Sequence, residues 1–373
     1  MSKYIRKQHY NSHVSLVELM KDSNPLKRTR AELLVAGMPF RGYVGMVAHG
    51  FETCGMKVSV LEWTTPARDP VELVKLYLSR DYRLKAQEIQ NQRNSTELEE
   101  AIMRSAPNYV LVLKGARITD KARNFCDRQG IKLIMWAYDS ASHVPVICES
   151  APDYDLVYVY EPADLQMFSH CGNAKFLPLA YDPRLYHPSD VDKGSVICDV
   201  CFVGNLSGYP QRRALLKRVA DRFPDRKIIV WSDTRFSYSP LKLEDLFIVG
   251  GRSNLELRRQ TADHVEINNL YNKARVCLNI HHLQARSGVN PRSFEILGSG
   301  AFLLTDMKLD GIGGFKDGKD YVSYSSAVDL EEKIAYYIQG EDDRVSIAES
   351  GRREAERNHT YSCRAHRVLR DLE

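Results

Sequence analysis

The segment from Gly288 to Asp306, GVNPRSFEILGSGAFLLTD, places two charged residues at the start of an otherwise apolar or small-residue stretch. Asn290 followed by Pro291 predicts a helix that begins at about Pro291, because Asn caps helices well and Pro fits the first helical position. The free N–H groups and partial positive charge of such a helix start suit a phosphate. Arg292 adds a bidentate donor in the first turn, and Glu295 projects from the same side three residues later.

These two charges fit a grip on a nucleoside diphosphate, with Arg292 on the phosphates and Glu295 on the adjacent hydroxyls of a ribose. The alternative is an ion pair within the helix at i,i+3, which contributes only about 0.2–0.5 kcal/mol at a surface. The apolar run that follows favours the ligand interpretation, since a buried segment does not tolerate idle charges. The preceding strand-like run RVCLNIHH (275–282) aims this helix start at the carboxyl edge of a sheet, where open α/β sheets bind ligands.

Strand-like and helical segments alternate along the chain from residue 31 onwards. The strands are near-continuous apolar runs such as NYVLVLKG (108–115), which predicts parallel sheets covered by helices on both faces. A proline-rich stretch, FLPLAYDPRLYHP (176–188), interrupts the alternation and indicates a domain boundary. We therefore expect a first α/β domain over residues 1–180, a linker over 181–194, a second α/β domain over 195–345, and a C-terminal helical segment over 346–373 that could cross back to the first domain.

The composition is that of a globular protein, since 43% of its 373 residues are hydrophobic and 27% are charged. We expect a cytoplasmic protein, because the chain contains neither an apolar run that could span a bilayer nor the apolar core of a signal peptide. Residues 1–30 hold seven Lys and Arg against two acidic residues, and such a basic arm suits a polyanion, although a solvated helix is the simpler interpretation. Cys198 and Cys201 form the one CxxC pair, and without a second pair no metal site is expected.

Three spaced segments, LYNKARVCLNIHH, GVNPRSFEILGSGAFLLTD and DGKDYVSYSSAVDLEEKIAYYI, resemble the C-terminal half of the CgeB-like (spore maturation protein type) glycosyltransferases, within the GT-B superfamily. DVCFVGNLSGYPQRRALLKRV is similar to the first strand and helix of that half. The resemblance implies a GT-B fold, in which two Rossmann-like doubly wound domains face a central cleft. It also implies transfer of a sugar from a nucleoside-diphosphate donor, UDP- or GDP-linked, to an acceptor hydroxyl. Such enzymes generally need no metal, because a helix dipole and Arg or Lys neutralise the leaving diphosphate.

Carried over by position, the resemblance places Glu295 on the ribose as the second Glu of an E-x7-E motif. The first Glu of that motif is replaced by Ser287, which leaves retaining or inverting stereochemistry open. The FIVGG turn (247–251) would offer main-chain groups to the base. The donor-binding residues expected on this basis are Gly204, Asn205, Arg212 (or its neighbour Arg213), Asn290, Arg292 and Glu295.

Asp139, at the end of the strand-like IKLIMWAYD (131–139), is the first candidate for a base that takes a proton from the acceptor hydroxyl. A helix cap or a turn is the alternative role for this residue. His49 is a second candidate, although a mid-helix histidine is more often structural. His281 or His282 could touch the donor, and the two glycines of FRGYVG (40–45) are a weak indication of a phosphate loop.

Two other functions stay open at this point. The acceptor could be a hydroxymethylated base in DNA, which the basic arm favours and which would make binding steeply dependent on salt. A nucleotide-sugar-binding structural protein without turnover would account for Ser287. The acceptor could otherwise be a glycan, a protein or a small molecule, because acceptor and base contacts commonly come from variable loops.

Overall fold

The structure, a computed structural model, describes residues 31–64, 70–169, 172–189, 195–206, 209–232, 251–259, 263–281, 286–306 and 309–373. Four features considered above lie outside these residues: the basic arm, the end of the linker, most of the FIVGG turn, and His282. Among the described helices, none has the length and apolarity that a membrane-crossing segment requires.

The first half of the chain forms a parallel six-stranded sheet with the spatial order β2-β1-β3-β4-β5-β6. Its strands are β1 (Glu32–Gly37), β2 (Lys57–Glu62), β3 (Tyr109–Leu113), β4 (Lys132–Ala137), β5 (Leu156–Val159) and β6 (Ala174–Phe176). The helices between them are α1 (Tyr43–Glu52), α2 (Pro70–Leu78), α3 (Arg80–Ser105), α4 (Asp120–Gln129) and α5 (Pro145–Ser150). The strand order reverses between β1 and β3, which opens a crevice at the carboxyl edge.

The second half repeats this plan with the order β12-β11-β10-β7-β8-β9. Its strands are β7 (Cys198–Val203), β8 (Ile228–Trp231), β9 (Leu255–Arg258), β10 (Ala274–Asn279), β11 (Leu303–Thr305) and β12 (Val322–Ser323). Its helices are α6 (Pro210–Arg222), α7 (His264–Asn272), α8 (Pro291–Gly298), α9 (Ala327–Gln339), α10 (Glu341–Asn358) and α11 (Tyr361–Leu372). The reversal between β10 and β7 opens a second crevice. The predicted pair of doubly wound α/β halves is confirmed.

The residues at the ends and faces of these elements explain why they form. Thr119 caps α4 by accepting a hydrogen bond from the Ala122 N–H, and Gly130 ends this helix with a left-handed φ of 61°. All six residues of β7 are buried, as expected of a strand that is covered on both faces. Cys198 and Cys201 are free thiols within this strand and contribute to the core.

The C-terminal helix α11 lies on the first half of the chain, where it packs against α1. Arg364 is buried, and its guanidinium donates to the carbonyl oxygens of Pro178 at 2.8 Å and Leu179 at 3.0 Å. Near the end of the helix, the Tyr158 hydroxyl donates to the Asp371 carboxylate at 2.6 Å. Helix α11 therefore ties the second half of the chain to the first.

His359, directly before α11, is held in its neutral form. Its Nδ1 lies 2.8 Å from the Arg364 guanidinium, which can only donate, and its Nε2 lies 3.1 Å from the Gly313 carbonyl oxygen. Burial, followed by the charge of Arg364, lowers the pKa of His359 to about 3. The unfolded chain takes up this proton near the ordinary value of 6.5, so the free energy of unfolding falls as the pH drops from there towards 3.

We expect the His359→Gln variant to be less stable than the wild type at about pH 7, but to lose less of its stability between about pH 6.5 and pH 4. Urea unfolding at several pH values in this range measures the difference. His143→Gln, which replaces an exposed histidine, should keep the pH dependence of the wild type. An unchanged pH dependence in His359→Gln would contradict the assignment.

Candidate functional site

A cleft of about 250 Å³ lies between the two halves of the chain. Its lining comes from residues that follow the strands of both sheets, so that the two carboxyl edges face each other across it. Eight of these residues have charged, amide or imidazole side chains: Arg41, Lys114 and Asp139 in the first half, and Asn205, Arg212, His281, Asn290 and Arg292 in the second.

The start of α8 is built as the sequence predicts. The Asn290 side chain caps the helix by accepting a hydrogen bond from the Ser293 N–H at 3.3 Å. Asn279 supports this cap by donating to Asn290 Oδ1 at 3.0 Å and to the Ser293 hydroxyl at 2.8 Å. The Asn290 N–H donates to His281 Nε2 at 3.3 Å, while His281 Nδ1 lies 2.7 Å from the Asp306 carboxylate. His281 therefore holds the main chain at the start of the helix.

Two guanidinium groups line the cleft beside this helix start. The Nε of Arg292 is buried and has no hydrogen-bond partner among the described residues. Arg212 donates to the carbonyl oxygens of Ile280 and Asn205, both at 2.9 Å, and lies 4.3 Å above the ring of Tyr209. Burial, followed by the charge of Arg292, lowers the pKa of Arg212 to about 10. A bound anion would relieve this repulsion, and a diphosphate has the required charge.

Glu295 lies behind the wall of the cleft, where only 1% of the residue is exposed. Its Oε1 accepts a hydrogen bond from the Tyr43 hydroxyl at 3.3 Å, and its Oε2 is buried without a hydrogen-bond partner in the described part of the chain. Burial, followed by the charge of Glu295, raises the pKa of Tyr43. The Tyr43 hydroxyl, which comes from the first half, occupies Oε1 of Glu295. A ribose hydroxyl can therefore bind this oxygen only when Tyr43 moves away.

Asp139 lies on the wall formed by the first half, with 43% of its side chain exposed. Its Oδ2 is 2.6 Å from the Nζ of Lys114. Lys114 and Arg41 have positive φ angles of 75° and 49°. Non-glycine residues adopt such angles at a cost in energy and concentrate at ligand sites. Neither residue was predicted as a site residue, because backbone strain has no local sequence signal here.

Besides Glu295, three residues considered from the sequence do not line the cleft. His49 lies in the last turn of α1, whose first turn borders the cleft, and its Nδ1 is 3.3 Å from the Glu52 carboxylate. This position gives His49 no contact with an acceptor in the cleft. Gly204 is buried at the end of β7, and Arg213 donates to the carbonyl oxygen of Leu206 at 2.7 Å.

Glu161, which was not predicted from the sequence, is fully buried at the carboxyl end of β5. Its carboxylate crosses to the second half and accepts hydrogen bonds from the loop before α8, at Arg286, Ser287 and Gly288. One signal could have identified it: Glu161 stands two residues after β5, just as Asp139 stands two residues after the adjacent strand β4.

Across the described ranges, no three His, Cys, Asp or Glu residues are grouped so that they could hold a metal ion.

The comparisons with known proteins agree with this architecture. Residues 211–370 match the family described as glycosyl transferase-like, Glyco_trans_1_2. The matched residues, which make up less than half of the chain, include Arg212 on α6 and Arg292 and Glu295 on α8, so the match covers the guanidinium pair. No curated protein matches the chain in sequence.

Among solved structures, sucrose-phosphate synthase from Thermosynechococcus elongatus matches with a TM-score of 0.64 at 11% identity, covering 92% of this chain and 99% of the other. HepE of Anabaena in complex with UDP-glucose matches with a TM-score of 0.62 at 12% identity, covering 91% and 99%. A trehalose-6-phosphate protein of E. coli bound with UDP-2-fluoro glucose matches with a TM-score of 0.63 at 10% identity, covering 92% and 99%. These likenesses show the fold, which is GT-B, and confirm the predicted fold class.

Proposed function

We propose that this protein is a glycosyltransferase that moves a sugar from a nucleoside-diphosphate donor to the hydroxyl of an acceptor. The observation that carries the proposal is the pair of guanidinium groups, Arg212 and Arg292, at the start of α8 in a cleft between two Rossmann-like halves. HepE has this fold and its structure contains UDP-glucose, which makes a UDP-linked donor the first to test. Kinship with the CgeB-like enzymes is part of the proposal.

The donor diphosphate would bind at the start of α8. Asn290 fixes the first turn of this helix, whose residues Pro291 and Arg292 line the cleft, so the positive end of the helix dipole lies beside the position proposed for the diphosphate. Arg292 would bind the phosphates with its guanidinium, while Arg212 is held in place by two carbonyl oxygens and keeps part of its guanidinium for the ligand. Glu295 would accept hydrogen bonds from the ribose after Tyr43 has moved. These positive charges stabilise the leaving diphosphate in the way that a metal ion would otherwise do.

The acceptor hydroxyl would bind on the opposite wall, beside Asp139. This carboxylate is ion-paired with Lys114 and partly exposed, so it can reach a hydroxyl in the cleft and act as the base that removes its proton. Lys114 would stay beside the reacting atoms and contribute a positive charge. Ser287 stands where the related motif has its first Glu, so the anomeric configuration of the product needs direct measurement.

Arg292→Ala is expected to weaken binding of the donor nucleotide by a factor of about 10–100, since a hydrogen bond to a charged group is worth about 1.5–3 kcal/mol. Calorimetric titration and thermal shift measure the affinity of both proteins for UDP, GDP, ADP, CMP, dTDP and their sugars. A ligand that binds the native state raises the melting temperature.

Arg218→Ala is the matched control. This arginine lies on α6 with 49% of its side chain exposed and pairs with Glu331 away from the cleft. The Arg218→Ala variant should bind nucleotide with the affinity of the wild type. A wild-type protein whose melting temperature rises with none of these nucleotides would overturn the proposed donor site, and so would an Arg292→Ala variant of unchanged affinity.

A further inference from the structure

Glu161 connects the two halves of the chain at the loop that leads into α8. The main-chain N–H groups of Arg286, Ser287 and Gly288 all donate to its carboxylate, with N···O distances of 3.0, 3.0 and 2.9 Å. The Ser287 hydroxyl donates to the same carboxylate. Four donors from three successive residues form an anion-binding concavity, and a carboxylate from the other half of the chain fills it.

The local structure is shaped for this contact. A Cβ atom on Gly288 would lie 2.7 Å from the Tyr160 ring and 2.9 Å from Glu161 Oε2, so the loop approaches β5 closely only because residue 288 is glycine. Burial alone would raise the pKa of Glu161, but the hydrogen bonds from Ser287, Gly288 and Arg286 lower it below its ordinary value. The group that organises the loop is therefore an ionised carboxylate.

The loop at residues 286–288 leads directly into the start of α8, where the donor diphosphate is proposed to bind. Gly288 and Asn290 both line the cleft, and Asn290 caps the helix that carries Arg292. A shift of the loop would therefore move the first turn of α8. Where the related motif has a Glu, this chain has Ser287, whose hydroxyl binds Glu161. The Ser287 hydroxyl is therefore one of the donors that hold the loop against the first half of the chain.

A second hydrogen bond crosses the cleft with donor and acceptor exchanged between the halves. Here the Tyr43 hydroxyl of the first half donates to Glu295 of the second. The cleft of about 250 Å³ is smaller than the roughly 300–1,000 Å³ of typical ligand pockets, and separation of the halves would make room for a nucleotide sugar. Both contacts break in that motion. Closing around a donor would restore the contact of the loop with Glu161, whereas a ribose hydroxyl would take the place of the Tyr43 hydroxyl on Glu295.

We propose that Glu161 is a positioning residue for the donor site, which sets the loop at residues 286–288 from across the cleft when the two halves close. The inference rests on the proposed function for the identity of the ligand, but the contact between the halves can be tested without it. Glu161 touches no substrate in this arrangement and acts through the loop. Donor affinity then depends on a residue of the half that does not hold the donor.

The test compares Glu161→Gln with the wild type. Gln keeps one acceptor oxygen and turns an NH₂ group towards N–H donors, so the loop loses part of its anchorage. We expect the KM for UDP-glucose, or for whichever donor the nucleotide screen identifies, to rise at least tenfold, with kcat changed less than threefold. Small-angle X-ray scattering without ligand should show a larger radius of gyration. Glu161→Asp, which restores the charge, should recover part of both effects, and Ser287→Ala, which removes one of the four donors, should cause a smaller rise in KM.

Glu149→Gln is the control, because Glu149 is exposed and pairs with Arg117 in the same half. A Glu161→Gln variant with a lower melting temperature but the KM and scattering of the wild type would overturn the positioning role. If the wild type binds no nucleotide, the proposed function fails, whereas a larger radius of gyration in Glu161→Gln would still support the closure contact. An unchanged radius in that case would overturn the contact as well.

Discussion

Replacing Asp139 with Asn is expected to lower kcat for sugar transfer about 100-fold or more, in line with the contribution of a general base, and to leave nucleotide binding unchanged. Asn has the size of Asp but cannot take up the proton of the acceptor hydroxyl. Binding should persist because Asp139 lies on the wall opposite Arg292 and Asn290. The measurement is the rate of UDP-glucose hydrolysis with water as acceptor, together with the affinity for UDP.

Asp127→Asn provides the comparison, since Asp127 is exposed on α4 and pairs with Arg123 away from the cleft. Its hydrolysis rate should equal that of the wild type. If Asp139→Asn keeps the wild-type kcat, Asp139 is not the base. If instead Asp139→Asn loses affinity for UDP in parallel with kcat, the residue supports the structure of the cleft and its assigned role is wrong.

The elements that the sequence predicts are those whose local signal is strong. VICDVCFVG becomes β7, since a parallel strand that is buried on both faces is a continuous apolar run. NPRSFEILG becomes α8, because its cap lies within the segment. The strands β6 and β9 were not predicted. Both are edge strands of three or four residues, and neither carries a long apolar run.

The site residues also divide into those with a local sequence signal and those that depend on contacts with distant residues. Asn290, Arg292 and Asp139 were predicted from their positions at the ends of elements, and the structure places all three on one cleft. Glu161 was missed because its partners lie about 126 residues away in sequence. Glu295 was predicted to face a ligand, but Tyr43, 252 residues earlier, covers it. Contacts across a cleft depend on how two domains meet, which no local pattern encodes.

The junction of the two halves also gives the largest expected effect on stability. Arg364 in α11 is 6% exposed and donates hydrogen bonds to the carbonyl oxygens of Pro178, Leu179 and Asn358 at 2.8, 3.0 and 2.7 Å. Arg364→Ala leaves these acceptors buried without their donor, so the free energy of unfolding is expected to fall by about 3–5 kcal/mol. Urea unfolding of the whole chain measures this loss.

Arg370→Ala is the matched control on the same helix, because Arg370 is exposed and its removal should change the free energy of unfolding by less than about 0.5 kcal/mol. Similar losses in the two variants would mean that α11 does not depend on the buried guanidinium. Leu179, whose carbonyl oxygen Arg364 binds, lines the cleft. Helix α11 therefore supports one wall of the cleft as well as the junction of the halves. The folded fraction of the Arg364→Ala variant should bind donor more weakly than the wild type does.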